Sequence, residues 1–405
     1  MTKPPPAGEK LELVIAKSAF GGDGIAFSQG KVCFVEGALP GERVVARVFE
    51  EKKNFSRASI VEILEPSAYR GTAPCRYLPH CGGCQYQHVE YKEELRMKEA
   101  QLADILKPLL ESGFLKIKPI VASDREYGYR NGVTLHPIFS KKNRPSGGRQ
   151  APALLGFIGK DNISKIPVKS CLLADERLSS VFGNEINLKK ETDKLMLKLS
   201  EEGEIVSDTE ERFFRICLGG QSFLASSKGF FQNNLFVAER LADQVSQWIQ
   251  KLKPDVFFDV YAGVGTFSML SALEVPKIVC VEESGPSVQA LNMNREERKI
   301  SSMRIAEGKA EKIFPGIWEK EKSERSVILL DPPRQGIAAG LANFLSKNHS
   351  ASGLIYISCD PVTLVRDLKI ILSLNQWKTE EIIPFDMFPR TKHLEVAILL
   401  TNHTS

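Results

Sequence analysis

From about residue 232 onward the chain alternates helical stretches with short apolar runs, and no other feature limits its fold as strongly. After NNLFVAERLADQVSQWIQ come DVFFDVYA, KIVCVEE, SVILLDPP, GLIYISCDP and HLEVAILLT. Runs that are apolar throughout suit strands buried on both faces, and a helix between neighbours lets them lie parallel. Residues 231–405 are therefore expected to form a Rossmann-like α/β domain, a parallel sheet covered by helices. In such a sheet the polar residues at the carboxyl ends of the strands face a common crevice.

The rest of the chain has another texture. Residues 10–66 read as short strands rich in Val, Ile and Phe, with turn signals about every ten residues, which predicts a small antiparallel barrel or sandwich over residues 1–66. Residues 67–230 are expected to form a central region, mixed and mainly β, with a helix over 89–112 available to pack on the C-terminal domain. Leu95, Leu102, Ile105, Leu106 and Leu109 keep helical spacing there. Residues 67–160 carry fifteen Lys/Arg against eight Asp/Glu, whereas the segments on either side are balanced or slightly acidic. Lys141, Lys142, Arg144 and Arg149, in the stretch SKKNRPSGGRQ, would suit a phosphate-lined surface, although charge runs are more often solvated loops. No apolar run approaches the roughly 18 residues of a spanning helix. The opening MTKPPPAGEKLELV has prolines where a leader peptide needs an apolar core, so a cytoplasmic chain with no membrane partner is expected, by default a monomer. Disulfides are not expected there, and the eight cysteines read as metal ligands, nucleophiles or small core residues.

Three of those thiols fall in one short stretch, CRYLPHCGGC, as Cys75, Cys81 and Cys84. Its glycines and proline leave little to pack, so the thiols are expected to serve one metal centre. Cys171 of KIPVKSCLL is best placed to complete a set of four, and zinc and an iron-sulfur cluster both accept such a set. Further on, FFDVYAGVGTFSML places a strand end at Tyr261 and a G-x-G turn at Gly263 and Gly265 ahead of a helix, which lets a ligand approach the backbone closely. Ser268 stands where the dinucleotide fingerprint needs its third glycine, which disfavours NAD. Glu282 ends the next strand, placed to accept from ribose hydroxyls, so the turn and the acid together suit S-adenosylmethionine or another nucleoside cofactor. SVILLDPPRQG ends a strand in Asp331, Pro332, Pro333 and Arg334, the prolines stiffening the loop at the crevice. Cys359 sits at the tip of GLIYISCDP, the place of a nucleophile, whereas Cys217 and Cys280 lie within strands as core thiols would. Glu395 precedes the closing strand, and position alone makes it an ordinary surface glutamate.

In combination these stretches resemble one family, the bacterial RNA (uracil-5-)-methyltransferases that carry a TRAM domain and a four-iron cluster, especially those acting on 23S ribosomal RNA. The resemblance runs through nearly the whole chain. It includes FGGDGIA in the N-terminal barrel, the cysteine stretch followed by QYQH, Cys171, YRN at 129–131, FFQNN around Gln232, DVYAGVGTFS, DPPRQG, SCDP and FPRTKHLE. It implies an OB-like TRAM β-barrel over residues 1–66, a [4Fe-4S] cluster on Cys75, Cys81, Cys84 and Cys171, and a methyltransferase domain in which Gln232, Tyr261, Glu282 and Asp331 contact S-adenosylmethionine. It also implies Cys359 as the nucleophile that adds to uracil C6 and Glu395 as the base that removes the C5 proton. The product would be 5-methyluridine in RNA, with ribosomal RNA favoured over transfer RNA. Two positions depart from the family pattern: Ala262 stands where relatives often have cysteine, and Lys309 where an Asp or Asn is expected to read the adenine amino group. The second departure bears on cofactor affinity. Two other readings use fewer of these residues: methylation of a base nitrogen through the D-P-P loop alone, and an RNA-binding protein whose transferase half is inactive.

Overall fold

In a computed structural model of the chain, residues 8–110, 117–140, 150–188, 192–347 and 350–402 are described. Lys141, Lys142, Arg144 and Arg149 lie outside the described residues. The chain divides into two compact units. One comprises the described residues up to Asp104 together with Ile158–Ile166 and Arg390–His393; the other comprises Ile105–Phe157, Pro167–Pro389 and Leu394 onward.

In the first unit, β1 (Lys10–Val14), β2 (Lys17–Ser18), β3 (Gly24–Ser28), β4 (Lys31–Glu36), β5 (Arg43–Glu51) and β6 (Phe55–Glu65) form one sheet in the order β1-β5-β6-β4-β3-β2. Every second residue points inward along these strands, so Ala26, Cys33, Val35, Val44, Ala46, Val48 and Ala58 meet in one small core. The sheet is not antiparallel throughout as expected, because β4 and β6 run parallel. The chain leaves β4 for β5 on the far side of β6 and returns between them. The cysteine-rich segment follows without helix or strand. Then comes α1 (Tyr91–Leu110), whose buried face includes Met97, Leu102 and Leu106 but also an ion pair, Lys98 to Glu94 at 2.8 Å.

Residues 117–226 are mainly β. They hold β7 (Gly132–Phe139), β8 (Ala151–Ile158), β9 (Lys165–Pro167), β10 (Ile186–Leu188), β11 (Leu195–Leu199) and β12 (Ile205–Ser207) in one sheet, and a hairpin of β13 (Phe213–Leu218) and β14 (Gln221–Ser226). Gly219 and Gly220, at φ 58° and 68°, turn that hairpin, a conformation that costs glycine little. Cys217 faces outward on β13 and is exposed, so it is not the core thiol that its place in a strand suggested.

The C-terminal part runs α2 (Leu235–Leu252), β15 (Val256–Val260), α3 (Thr266–Ser271), β16 (Lys277–Glu282), α4 (Gly285–Glu297), β17 (Met303–Glu307), α5 (Ala310–Glu321), β18 (Ser326–Leu330), α6 (Ala339–Lys347), β19 (Gly353–Ser358), α7 (Pro361–Ile371), β20 (Trp377–Phe385) and β21 (Glu395–Asn402). Its seven strands lie in the order β17-β16-β15-β18-β19-β21-β20. Every residue of β15, β18 and β19 is buried, as strands covered on both faces require. One expectation is corrected: the closing strand β21 is antiparallel to both its neighbours. The connection from Phe385 to Glu395 contains no crossover helix, and without one a strand cannot return parallel to the strand it follows. Among the described residues no helix is long and apolar enough to cross a membrane.

Candidate active site

The turn after β15 is shaped by backbone geometry. Tyr261 has φ 70°, and the N–H groups of Tyr261 and Ala262 both donate to the carbonyl of Val281, at 2.9 and 3.0 Å. Gly263 (φ 58°) and Gly265 (φ 86°) follow, and a Cβ at Gly265 would strike the Leu291 side chain. Only glycine fits there. Glu282, at the end of β16, accepts from the Gly263 N–H at 2.8 Å and the Ser284 N–H at 2.7 Å, so its carboxylate is fixed beside the turn. Ser268 has its own task. Its N–H and hydroxyl donate to Asp259 Oδ2 at 3.2 and 2.6 Å, which explains a serine where the dinucleotide fingerprint has glycine.

Asp259 is fully buried in β15, and its other oxygen, Oδ1, has no hydrogen-bond partner among the described residues. Burial first, then the charge of Glu282, push its carboxyl up to about 6, against the hydrogen bonds from Ser268. Burial, with Asp259 and Glu282 behind it, pushes Asp331 at the end of β18 up to about 7. Carboxylates gathered in this way oppose one another's ionisation, and a cation among them would relieve it. Tyr261 is likewise raised, chiefly by burial.

The reversed direction of β21 decides the other half of the crevice. Its register sets Val396 opposite Ser358, so Glu395, one residue earlier, meets the end of β19 where Cys359 emerges. A parallel β21 would have put Glu395 at the opposite edge of the sheet. Glu395 is 6% exposed, far from the surface residue that position suggested. Burial first, and the charge of Asp331 next, hold its carboxyl well above the usual range, while Arg334 acts the other way. Cys359 is half-buried. Burial, then Glu395, push its thiol up to about 12, again with Arg334 opposing. Arg334 is therefore the cation shared by both groups. The sequence placed it at the crevice only as the last residue of the D-P-P-R strand end, with no role of its own. Asp259 was also missed, though an acid inside an apolar strand was a visible signal.

Gln232 is half-buried in the loop before α2, and Asn234 caps that helix by accepting from the Val237 N–H at 3.3 Å. Lys309 occupies the N-cap of α5 without a side-chain cap bond, since an ammonium has no acceptor to offer. Cys280 is buried in β16, where burial raises its thiol, so it is inert.

In the first unit, Cys75, Cys81 and Cys84 lie half-buried on one irregular segment, in no disulfide. The Gln87 side chain binds two of them, accepting from the Cys75 N–H at 3.2 Å and donating to Cys84 Sγ at 3.1 Å; the Gly83 N–H points to Cys81 Sγ at 3.5 Å. Thiols that accept N–H bonds have the donor chemistry of an iron-sulfur site. Among the described residues, however, no group of three or more His, Cys, Asp or Glu stands together as a metal site. Cys171 lies in the second unit and is also half-buried, in no disulfide.

The sheet order, the glycine turn and a cysteine beside a buried glutamate at the strand ends define a doubly wound α/β domain with a ligand crevice at those ends. Comparison with known proteins agrees. Residues 208–403 match the family model described as tRNA (Uracil-5-)-methyltransferase, and residues 7–61 match the TRAM domain. The chain is 27% identical over 444 residues to an uncharacterized RNA methyltransferase of Clostridium tetani, covering 94% of each. It is 28% identical over 423 residues to the 23S rRNA (uracil(1939)-C(5))-methyltransferase RlmD of Aliivibrio fischeri, covering 93% of each. The crystal structure of Pyrococcus abyssi tRNA (uracil-54, C5)-methyltransferase, in complex with S-adenosyl-L-homocysteine, has the same fold. Its TM-score is 0.69 at 20% identity, over 96% of this chain and 99% of that one. The chain thus carries an RNA (uracil-5-)-methyltransferase domain over residues 208–403 and a TRAM domain over residues 7–61.

Proposed function

We propose that this enzyme makes 5-methyluridine in 23S ribosomal RNA, with Cys359 as covalent nucleophile and Glu395 as base. One observation carries this reading: antiparallel β21 brings Glu395 to the end of β19, beside Cys359. The ribosomal substrate is supported by the relatives named for it. S-adenosylmethionine, when bound, supplies an electrophilic methyl group on a cationic sulfur. Asp259 Oδ1, unpartnered among the described residues, and the raised carboxyl of Asp331 fit a cationic ligand, with Gln232, Tyr261, Gly263, Gly265, Glu282 and Asp331 proposed to hold it.

Uracil C5 is a weak nucleophile. Addition of the Cys359 thiolate to C6 pushes the C5=C6 electrons into the ring carbonyl, as an enolate rich at C5. Arg334 favours that thiolate, whose formation the surrounding carboxylates oppose. Once C5 carries the methyl group, Glu395 takes the remaining C5 proton; that electron pair re-forms C5=C6 and expels the thiolate. A carboxylate made more basic by burial suits a carbon acid activated by one carbonyl. The target base must leave its stack to reach so buried a pair.

A cation binds the ionised carboxylates better than the protonated ones. Because burial and neighbouring carboxylates push Asp331 up to about 7 and Asp259 up to about 6, binding of a cation draws protons off them below those values. Affinity for S-adenosylmethionine is expected to rise with pH across that window, by up to about tenfold per unit for each group, with proton release measurable by calorimetry in buffers of different ionisation heat. An affinity independent of pH, with no protons released, would contradict the cationic site.

We further propose that Cys75, Cys81, Cys84 and Cys171 hold a [4Fe-4S] cluster without a redox step in the reaction. Protein purified without oxygen is expected to be brown, with about four irons and four sulfides per chain; a colourless protein carrying zinc would contradict this. A cytoplasmic monomer is the simplest state for this enzyme, and light scattering at the mass of one 45.0 kDa chain would support it.

A further inference from the structure

The residues that place Arg334 lie on α7. Asp360, next to Cys359, caps this helix by accepting from the N–H groups of Val362 and Thr363, both at 3.0 Å. One turn on, the same helix grips the loop that carries Arg334. The Thr363 hydroxyl donates to the Arg334 carbonyl at 3.1 Å, and Arg366 Nη2 donates to the Gln335 carbonyl at 2.7 Å. Asp367 Oδ2 accepts from the Ile337 N–H at 3.0 Å and from the Tyr356 hydroxyl at 2.7 Å, while Arg366 Nε donates to Asp367 Oδ1 at 2.8 Å. Gly336, at φ 72°, passes so close that a Cβ there would collide with the Asp367 carboxylate and Arg366. Arg334 and Gln335 are themselves exposed, and α7 holds both by their carbonyls.

Asp367 is 1% exposed, and a buried carboxylate is a costly way to hold a loop that has no part in the chemistry. We infer that Asp367, with Thr363 and Arg366, forms a brace that fixes Arg334 against Cys359 and Glu395, so that nucleophile and cation are set by one helix. The inference rests on the reading of Cys359 as nucleophile. These three are positioning residues: none is required to touch the uridine. Asp367 accepts from donors only, so an Asn in its place must turn an amide towards one of them and loosen the loop.

The test reads the thiol directly. Alkylation of Cys359 by iodoacetamide, followed by mass spectrometry of its peptide, reports the thiolate fraction. At about pH 8, Arg334→Gln and Asp367→Asn are each expected to slow alkylation roughly tenfold, equivalent to a rise of about one pKa unit. The double variant should be no slower than Arg334→Gln alone, because Asp367 acts through Arg334. Thr363→Val should show the same direction and Thr363→Ser should restore the wild-type rate, which keeps the test usable if Asp367→Asn does not fold. Leu368→Ala, which opens the core beside the brace, should lower the melting temperature without changing the pH profile of alkylation. An Asp367→Asn rate equal to wild type, or a double variant slowed by the product of the single effects, would overturn the brace. The alkylation series does not depend on turnover, so its failure is separate from that of the nucleophile, which shows as a Cys359→Ala enzyme that still methylates.

Discussion

Cys359→Ala is expected to abolish methyl transfer to RNA, lowering kcat/KM by at least about four orders of magnitude, with binding of S-adenosylmethionine intact. The size of the effect follows from the substrate: without a thiolate on C6 there is no enolate, and C5 of an aromatic pyrimidine does not attack a methyl group. The variant removes a half-buried sulfur at the end of β19, so the protein should fold normally. Incorporation of labelled methyl into RNA measures the loss, and calorimetry checks the cofactor site. A variant that still methylated would point to transfer onto a base nitrogen. A wild-type chain that failed to bind S-adenosylmethionine would point to an inactive RNA-binding protein.

Glu395→Gln separates the second half of the reaction from the first. Addition of Cys359 and methyl transfer should still occur, but the C5 proton then has no base to take it and the thiolate cannot leave. Turnover is expected to fall by about 10²–10⁴-fold, and a covalent complex between protein and RNA should build up on denaturing gels. Loss of turnover without that complex would show that Glu395 acts before or during addition. Because burial and Asp331 hold the Glu395 carboxyl high, its charged form grows as pH rises, so proton removal in the wild-type enzyme should quicken towards alkaline pH.

Much of this site was legible in the sequence because its signals are local. A cysteine followed by Asp-Pro at the tip of an apolar run, and glycines between a strand and a helix, announce their geometry within a few residues. Glu395 was different. Its neighbour is Cys359 only because β21 runs against the sheet, and a pairing between residues so far apart leaves no trace in the pattern of either. The parallel β4–β6 pair escaped for the same reason. Arg334 and Asp367 were hidden in another way, since a loop held by its carbonyls looks like any polar loop until the helix that receives them is seen.

The most direct test of covalent catalysis at residue 359 uses RNA carrying 5-fluorouridine at the target site. Fluorine at C5 cannot be removed as a proton, so after methyl transfer the link between sulfur and C6 should persist. Mass spectrometry is expected to find the methylated nucleotide on the peptide containing Cys359, and nothing in Cys359→Ala. An active wild-type enzyme that forms no such adduct, or forms it on another residue, would contradict Cys359 as the nucleophile.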